Sequence, residues 1–169
     1  MIGGDAVVRA GAVGNSLDVI TDNDTFVENK QMMTGDVGSS LKANFNMVNG
    51  SVGITNTSVC NQAEVSTDPA ITSVKNKQEC YTRDPMAFTD AKVRNVVGDV
   101  SIAASAVANT FSADSNAPNM PVNNLQVNTS GVNAISQAKI HNVGGSVGVS
   151  SVAMGNSAQV IHYSTDPNQ

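Results

Sequence analysis

Four segments of this chain lie over one another. They are "GDAVVRAGAVGNSLDV" from Gly4, "GSVGITNTSVCNQAEV" from Gly50, "GDVSIAASAVANTFSA" from Gly98 and "GSVGVSSVAMGNSAQV" from Gly145. Each opens on Gly followed by Asp or Ser, and each carries Asn eleven residues after that Gly. The starts are 46, 48 and 47 residues apart. A second block precedes the last three copies, as "ANFNMVNGSV" from Ala43, "AKVRNVVGDV" from Ala91 and "AKIHNVGGSV" from Ala138. A repeat that cannot bury its own apolar face must lie against its neighbours, so the period restricts the chain to stacked architectures. Each repeat divides into a well-matched half and a looser half of about 23 residues, giving three and a half repeats or seven halves.

Alternation within the copies assigns faces. In the third, Val100, Ile102, Ala104, Ala106 and Ala108 point one way and Ser101, Ala103 and Ser105 the other. After the Asn the apolar set changes parity, to Leu17 and Val19, Ala63 and Val65, Phe111 and Ala113, Ala158 and Val160. A parity change at a fixed place marks a bulge or a turn. The Gly-Asn or Ala-Asn pair suits either, since Gly and Asn tolerate positive φ. Gly4, Gly50, Gly98 and Gly145 are read as turn glycines.

Stacking the copies puts like on like. Val8, Ile54, Ile102 and Val149 form one apolar column; Phe45, Val93 and Ile140 form another; Val48, Val96 and Val143 form a third. Asn15, Asn61, Asn109 and Asn156 either build an amide ladder from rung to rung or serve only as turn residues. The expected fold is all-β: one domain over 1–169, a β-solenoid of strand–turn–strand rungs, its last repeat a half. The period alone leaves open a rung of about 47 residues or of about 23.

Composition agrees with a thin core. Charged residues make up 14% and aromatics 4%, with no Trp, against roughly 25% charged in ordinary domains. Val, Thr and Asn are mediocre helix formers, and the β-branched ones fit a pleated surface. A net charge of −5 and a pI near 4.7 speak against nucleic acid as a partner. No apolar run reaches the ~18–20 residues of a membrane-spanning helix. Met1 is followed by "IGGDAVV", without the basic start of a secretory leader, so the chain is expected to be cytosolic or a mature secreted form.

"VAMGNSAQVIHY", "AVGNSLDVI" and "SGVNAISQA" (Ser130 to Ala138) resemble the G-x-G-N-x-A…Q units of curli-type secreted amyloid subunits, and in style the curli-like holdfast-attachment proteins of bacteria. The resemblance implies passage through an outer-membrane pore, stacking of ~22-residue strand–turn–strand units and growth of surface fibres. It favours seven thin rungs. Most of the flanking Gln ladder of curli is missing, and the period is doubled. "SSVAMGNSA" also resembles the head repeats of trimeric autotransporter adhesins, whose repeats are much shorter.

Chemistry-bearing residues are few. Cys60 takes the small inward position of Gly14, Ala108 and Gly155, and Cys80 falls near Met33 and Val127. Facing a thin core from opposite walls, they form either one disulfide, which fits an oxidising compartment, or two buried thiols. The irregular segment 72–85, "TSVKNKQECYTRDP", reads as an insert and a candidate contact loop. His141 and His162 lack metal-ligand spacing. "TDND" (Thr21 to Asp24) and the two "STDP" segments read as turns. No nucleophile–base arrangement and no phosphate loop is supported, so no enzyme, cofactor or metal is expected. The expected role is a subunit stacking head to tail with itself into an extracellular fibre, in contact with cell-surface or matrix components. The alternative is a non-polymerising or trimeric adhesin, or fibre-shaft module, binding a surface or glycan.

Overall fold

A computed structural model describes residues 1–68, 72–81, 85–117 and 119–163. Its ten strands are β1 (Ala6–Thr21), β2 (Thr25–Met33), β3 (Gly38–Val48), β4 (Val52–Thr67), β5 (Thr72–Cys80), β6 (Met86–Val96), β7 (Val100–Ser115), β8 (Val122–Asn128), β9 (Asn133–Val143) and β10 (Val147–His162). Among the described residues there is no helix. The chain visits three parallel sheets in turn: sheet I is β1-β4-β7-β10, sheet II is β2-β5-β8 and sheet III is β3-β6-β9. We call one pass over the three sheets a circuit.

Every pairing joins a strand to the one three places along, in parallel. Val8 opposes Ile54, Ile54 opposes Ile102 and Val149 opposes Ile102. Phe45 opposes Val93 and Val93 opposes Ile140; Val48, Val96 and Val143 align likewise. Parallel strands need a crossover, and here the other two sheets supply it. Before β1, Ile2 already bridges Val48, so the valine column begins one residue type earlier than the copy that starts at Gly4.

The core is thin and has two walls. The first half of the sheet I strands packs on sheet III, through Val8, Val52, Ile54, Val100 and Ile102 against Leu41, Ala43, Phe45, Val48 and Val93. The second half packs on sheet II, through Leu17, Val19, Ala63, Val65 and Phe111 against Val27, Val74 and Val122. Each valine or isoleucine so buried contributes about 1.5–3 kcal/mol. The parity change sits between these halves. In β4 the inward residues run Ser58, Cys60, then Asn61, Ala63, with Cys60 and Asn61 both buried in succession. The strand runs on through this bulge instead of ending in a turn.

Two expectations change here. The halves of about 23 residues are not rungs; one half is the sheet I wall and the other is sheets II and III together. A residue therefore pairs 46–48 positions away, because only that offset returns the chain to the same wall. Segment 72–85 is no insert. Its residues Thr72–Cys80 are β5, whose Thr72 to Cys80 lie in register with Thr25 to Met33. It looked irregular because the polar side chains of β5 alternate with few large apolar ones. Positions 82–84 lie outside the described residues, as do parts of both "STDP" segments.

Candidate functional site

Polar columns cross the circuits at the junction of the two core halves. Asn15 Nδ2 donates to Asn61 Oδ1 (2.8 Å), Asn61 Nδ2 to Asn109 Oδ1 (2.7 Å) and Asn109 Nδ2 to Asn156 Oδ1 (2.7 Å). The same amide nitrogens donate across the core to backbone carbonyls of the sheet II wall, at Met32, Glu79, Val127 and Gln126. Asn61 and Asn109 are fully buried, so these bonds satisfy amides that water cannot reach. None of the four Asn residues has positive φ; among non-glycine residues Met47, Asn95 and Asn142 do. The amide, not a turn conformation, is what the position uses.

Sheet II supplies a second set that the sequence reading overlooked. Asn29, Asn76 and Asn124 are linked at 2.6 and 2.7 Å. Gln78 Nε2 donates to Gln31 Oε1 and Gln126 Nε2 to Gln78 Oε1, both at 2.9 Å. Each Gln also donates to a sheet I carbonyl one circuit further on: Gln31 to Gln62, Gln78 to Thr110, Gln126 to Ser157. A Gln ladder is therefore present, contrary to expectation. Its trace in the sequence is Asn-x-Gln in "ENKQM", "KNKQE" and "NNLQV", which the weak apolar pattern of that half concealed.

Beside the ladders, Cys60 and Cys80 are bonded to each other, joining β4 to β5 with Cα atoms 6.2 Å apart. Both are fully buried, with Ala108, Met33 and Val132 around them. Cys80 pairs with Met33 and with Asn128, one residue on from the Val127 expected from spacing.

At the turn between circuits the glycines act by size. Among the described residues no glycine has positive φ. A Cβ on Gly98 would lie 2.9 Å from the Gly50 carbonyl carbon and 2.5 Å from Ser51 Oγ; one on Gly50 or Gly145 would run into the backbone of the turn below. At Gly4 a Cβ would meet nothing within 4 Å. The neighbouring residue passes a hydrogen bond upward each time. Ser51 N–H donates to Asp5 Oδ1 (2.7 Å), Asp99 N–H to Ser51 Oγ (3.1 Å) and Ser146 N–H to Asp99 Oδ1 (2.7 Å).

Charged groups lie outside. On sheet II, Lys75 pairs with Glu28 at 2.8 Å and Lys77 with Glu79 at 2.9 Å. The hydrogen bond from Lys75 holds Glu28 below the usual carboxylate range, and those from Lys77 and Tyr81 do the same for Glu79. Lys77 and Tyr81 are raised in return by their bonds to Glu79. His141 is exposed beside Arg94. Among the described residues no group of His, Cys, Asp and Glu is placed to hold a metal ion. Nor, among the described residues, is any helix long and apolar enough to cross a membrane.

Among the described residues, then, the chain is an all-β protein of three parallel sheets tied from strand to strand by amide ladders. The chain belongs to the holdfast attachment protein D (HfaD) family, whose model matches residues 3–168. Its role is therefore in attachment at the cell surface. No curated protein and no solved structure matched the chain.

Proposed function

We propose that the chain is a β-solenoid with rungs of about 47 residues, and that further copies of it continue the stack into an extracellular fibre that carries attachment. The observation behind this reading is the direction of the columns. The side chains of Asp5, Ser51 and Asp99 each accept from the circuit above, and Ser146, which donates its N–H to Asp99, ends the row with its own hydroxyl still to be met. The next residue in that alternation is an Asp, which position 5 of a second copy provides. A second copy there also gives Gly4 the crowded turn that its counterparts occupy. It likewise gives Asn15 Oδ1 the Asn156 amide as a donor. Unpaired parallel edges favour such growth, because pairing closes no ring. In this reading the protein is secreted through an outer-membrane pore and acts without catalysis or cofactor.

A second reading draws on the strand count. Among the described residues sheet I has four strands and the others three. A copy seated on β10 therefore leaves one strand to be supplied in each of sheets II and III. A module closed by another chain, which displays its faces without forming a homopolymer, fits that count.

Electron microscopy and fibre diffraction of the purified protein separate the two. Filaments with a ~4.8 Å layer spacing and a rise of four circuits, ~19 Å, per subunit support stacking on β10. Particles that stay monomeric at high concentration refute it.

A further inference from the structure

The circuit that begins with β10 is half built. Among the described residues no strand of sheet II or sheet III lies on its level, and β8 and β9 are the last strands of those sheets. The inward valines of β10 register this. Val147, Val149 and Val160 are 50%, 47% and 51% exposed, whereas their partners in β7, Val100, Ile102 and Ala113, are at 1%, 1% and 0%. The Asn column registers it too. Asn15, Asn61 and Asn109 each donate to a sheet II carbonyl of their own circuit, at Met32, Glu79 and Val127. Asn156 has none there and turns back to Gln126, in the circuit before, at 3.2 Å. Three ladders then end on open groups. Asn124 accepts from Asn76, and its own Nδ2 has no acceptor among the described residues. Gln126 donates to Gln78, and its Oε1 has no donor. Asn142 donates to Asn95, and its Oδ1 is open in the same way.

We propose that β8, β9 and the inner face of β10 form a docking slot for an extended segment of a second, different polypeptide, laid parallel to β8 and then to β9. The ladder ends give its chemistry. An Asn whose Oδ1 accepts from Asn124 and, two residues on, a Gln that donates to Gln126 Oε1 continue both rows with the polarity they have below. Val27, Val74 and Val122 each stand two residues before the Asn of their strand and pack on the cluster of Val65 and Ala113. An apolar residue in that place covers Val160. A further Asn meets Asn142, since Asn142 follows Asn124 by 18 residues and Asn95 follows Asn76 by 19. A second copy does not fill the slot. Its own strands of sheets II and III are engaged with one another. Seated on β10, it brings only Ile2 into this circuit, the residue that bridges Val48. The slot is then one strand wide, with an edge ~4.8 Å away on either side. Backbone pairing supplies affinity there, and the amide and apolar positions supply selectivity. The proposal rests on the strand count of the second reading above and holds whether or not copies stack on β10.

The test uses the full chain and, as a stand-in for the partner segment, a labelled synthetic peptide with the sequence of Val122–Val143, VNNLQVNTSGVNAISQAKIHNV, which carries every group the slot calls for. Fluorescence anisotropy measures binding and hydrogen exchange locates it. The proposal expects saturable binding that weakens about tenfold or more when the peptide carries Asn124→Ser and Gln126→Ser, an effect of ~1.4 kcal/mol or more. Val149→Lys in the protein should weaken it as much, and Val7→Lys, on the outer side of sheet I, should leave it unchanged; circular dichroism confirms the fold of both. With the peptide bound, amides of β8 and β9 should exchange more slowly. Absence of binding, or equal binding of the serine peptide, overturns the proposal. Protection confined to β1 or β10 overturns it too, because the peptide then adds at the edges used in stacking. So does slow exchange along the open edges of β8 and β9 in the chain alone, since the chain then fills its own slot. Filament formation in the electron microscope judges stacking separately: a protein that forms no filaments yet binds the peptide at β8 and β9 supports the slot and refutes the homopolymer.

Discussion

Replacing Asn61 by Ala tests what the Asn column is for. Asn61 donates to Asn109 Oδ1 at 2.7 Å and to the Glu79 carbonyl at 3.0 Å, and it accepts from Asn15 Nδ2 at 2.8 Å. Truncation leaves three polar groups without their partner. A buried group so orphaned costs about 1–3 kcal/mol. Asn15 is half-buried and regains a bond from water; Asn109 is sealed at 0% exposure. The expected loss is about 3–5 kcal/mol. Asn156→Ala is the comparison, because Asn156 occupies the same strand position on exposed β10. There water takes over, and the loss should stay near 1 kcal/mol. Asn61→Asp should cost at least as much as Asn61→Ala, since a carboxylate has no donor for Asn109 Oδ1 or the Glu79 carbonyl. Urea unfolding followed by circular dichroism, with the disulfide intact, gives midpoints and m-values together. If Asn61→Ala and Asn156→Ala lie within ~0.5 kcal/mol of each other, or Asp substitutes freely, the column is only backbone geometry and the ladder argument fails.

Gly98→Ala should lose about 1–3 kcal/mol through overpacking against Gly50 and Ser51, whereas Gly4→Ala should leave the dispersed chain's melting temperature unchanged; an equal effect at both would refute the close-approach account. Met47 sits at φ 58° where the aligned Asn95 and Asn142 sit at 53°, so Met47→Asn should raise stability by about 0.5–1 kcal/mol, read as a higher midpoint. Opening the Cys60–Cys80 bond frees a loop spanning a separation of 20 residues, and the Cys60→Ala, Cys80→Ala double should lose about 3 kcal/mol; unaltered unfolding would exclude a stabilising role. Glu28 and Glu79 are held low, so what their pairs contribute is present above the ordinary carboxylate pKa and is lost as pH falls through the lowered one. The contribution tied to raised Lys77 and Tyr81 is lost instead as pH rises through their values. Carboxyl NMR titration of Lys75→Met should show Glu28 moving up and Glu79 staying put.

Much of the fold is legible in the residues. The apolar columns through Ile54, Val93 and Val96 repeat because parallel in-register stacking sets identical environments one above another, and a period in the sequence is the direct image of that. Inward and outward sides of the sheet I strands are equally plain, since pleating has period two and the parity change after Gly14, Cys60, Ala108 and Gly155 is fixed by the bulge. The second wall is harder to read. Gln31, Gln78 and Gln126 are inward despite being polar, because each reaches a carbonyl on the opposite wall, and a hydrophobicity pattern cannot register a satisfied amide. The same is true of β5, taken for an insert because its inward positions include Asn76 and Gln78.

The sequence by itself determined the period, the columns and the absence of a thick core, because each follows from local chemistry repeated along the chain. Tertiary structure decided which offset brings the chain back to the same sheet. That depends on the long sheet I strand needing two shorter ones to cover it, a matching of lengths across the core that no single segment contains. It also decided the purpose of the glycines: Gly50, Gly98 and Gly145 are small because a neighbouring turn lies against them, and only the stacked chain brings that turn there.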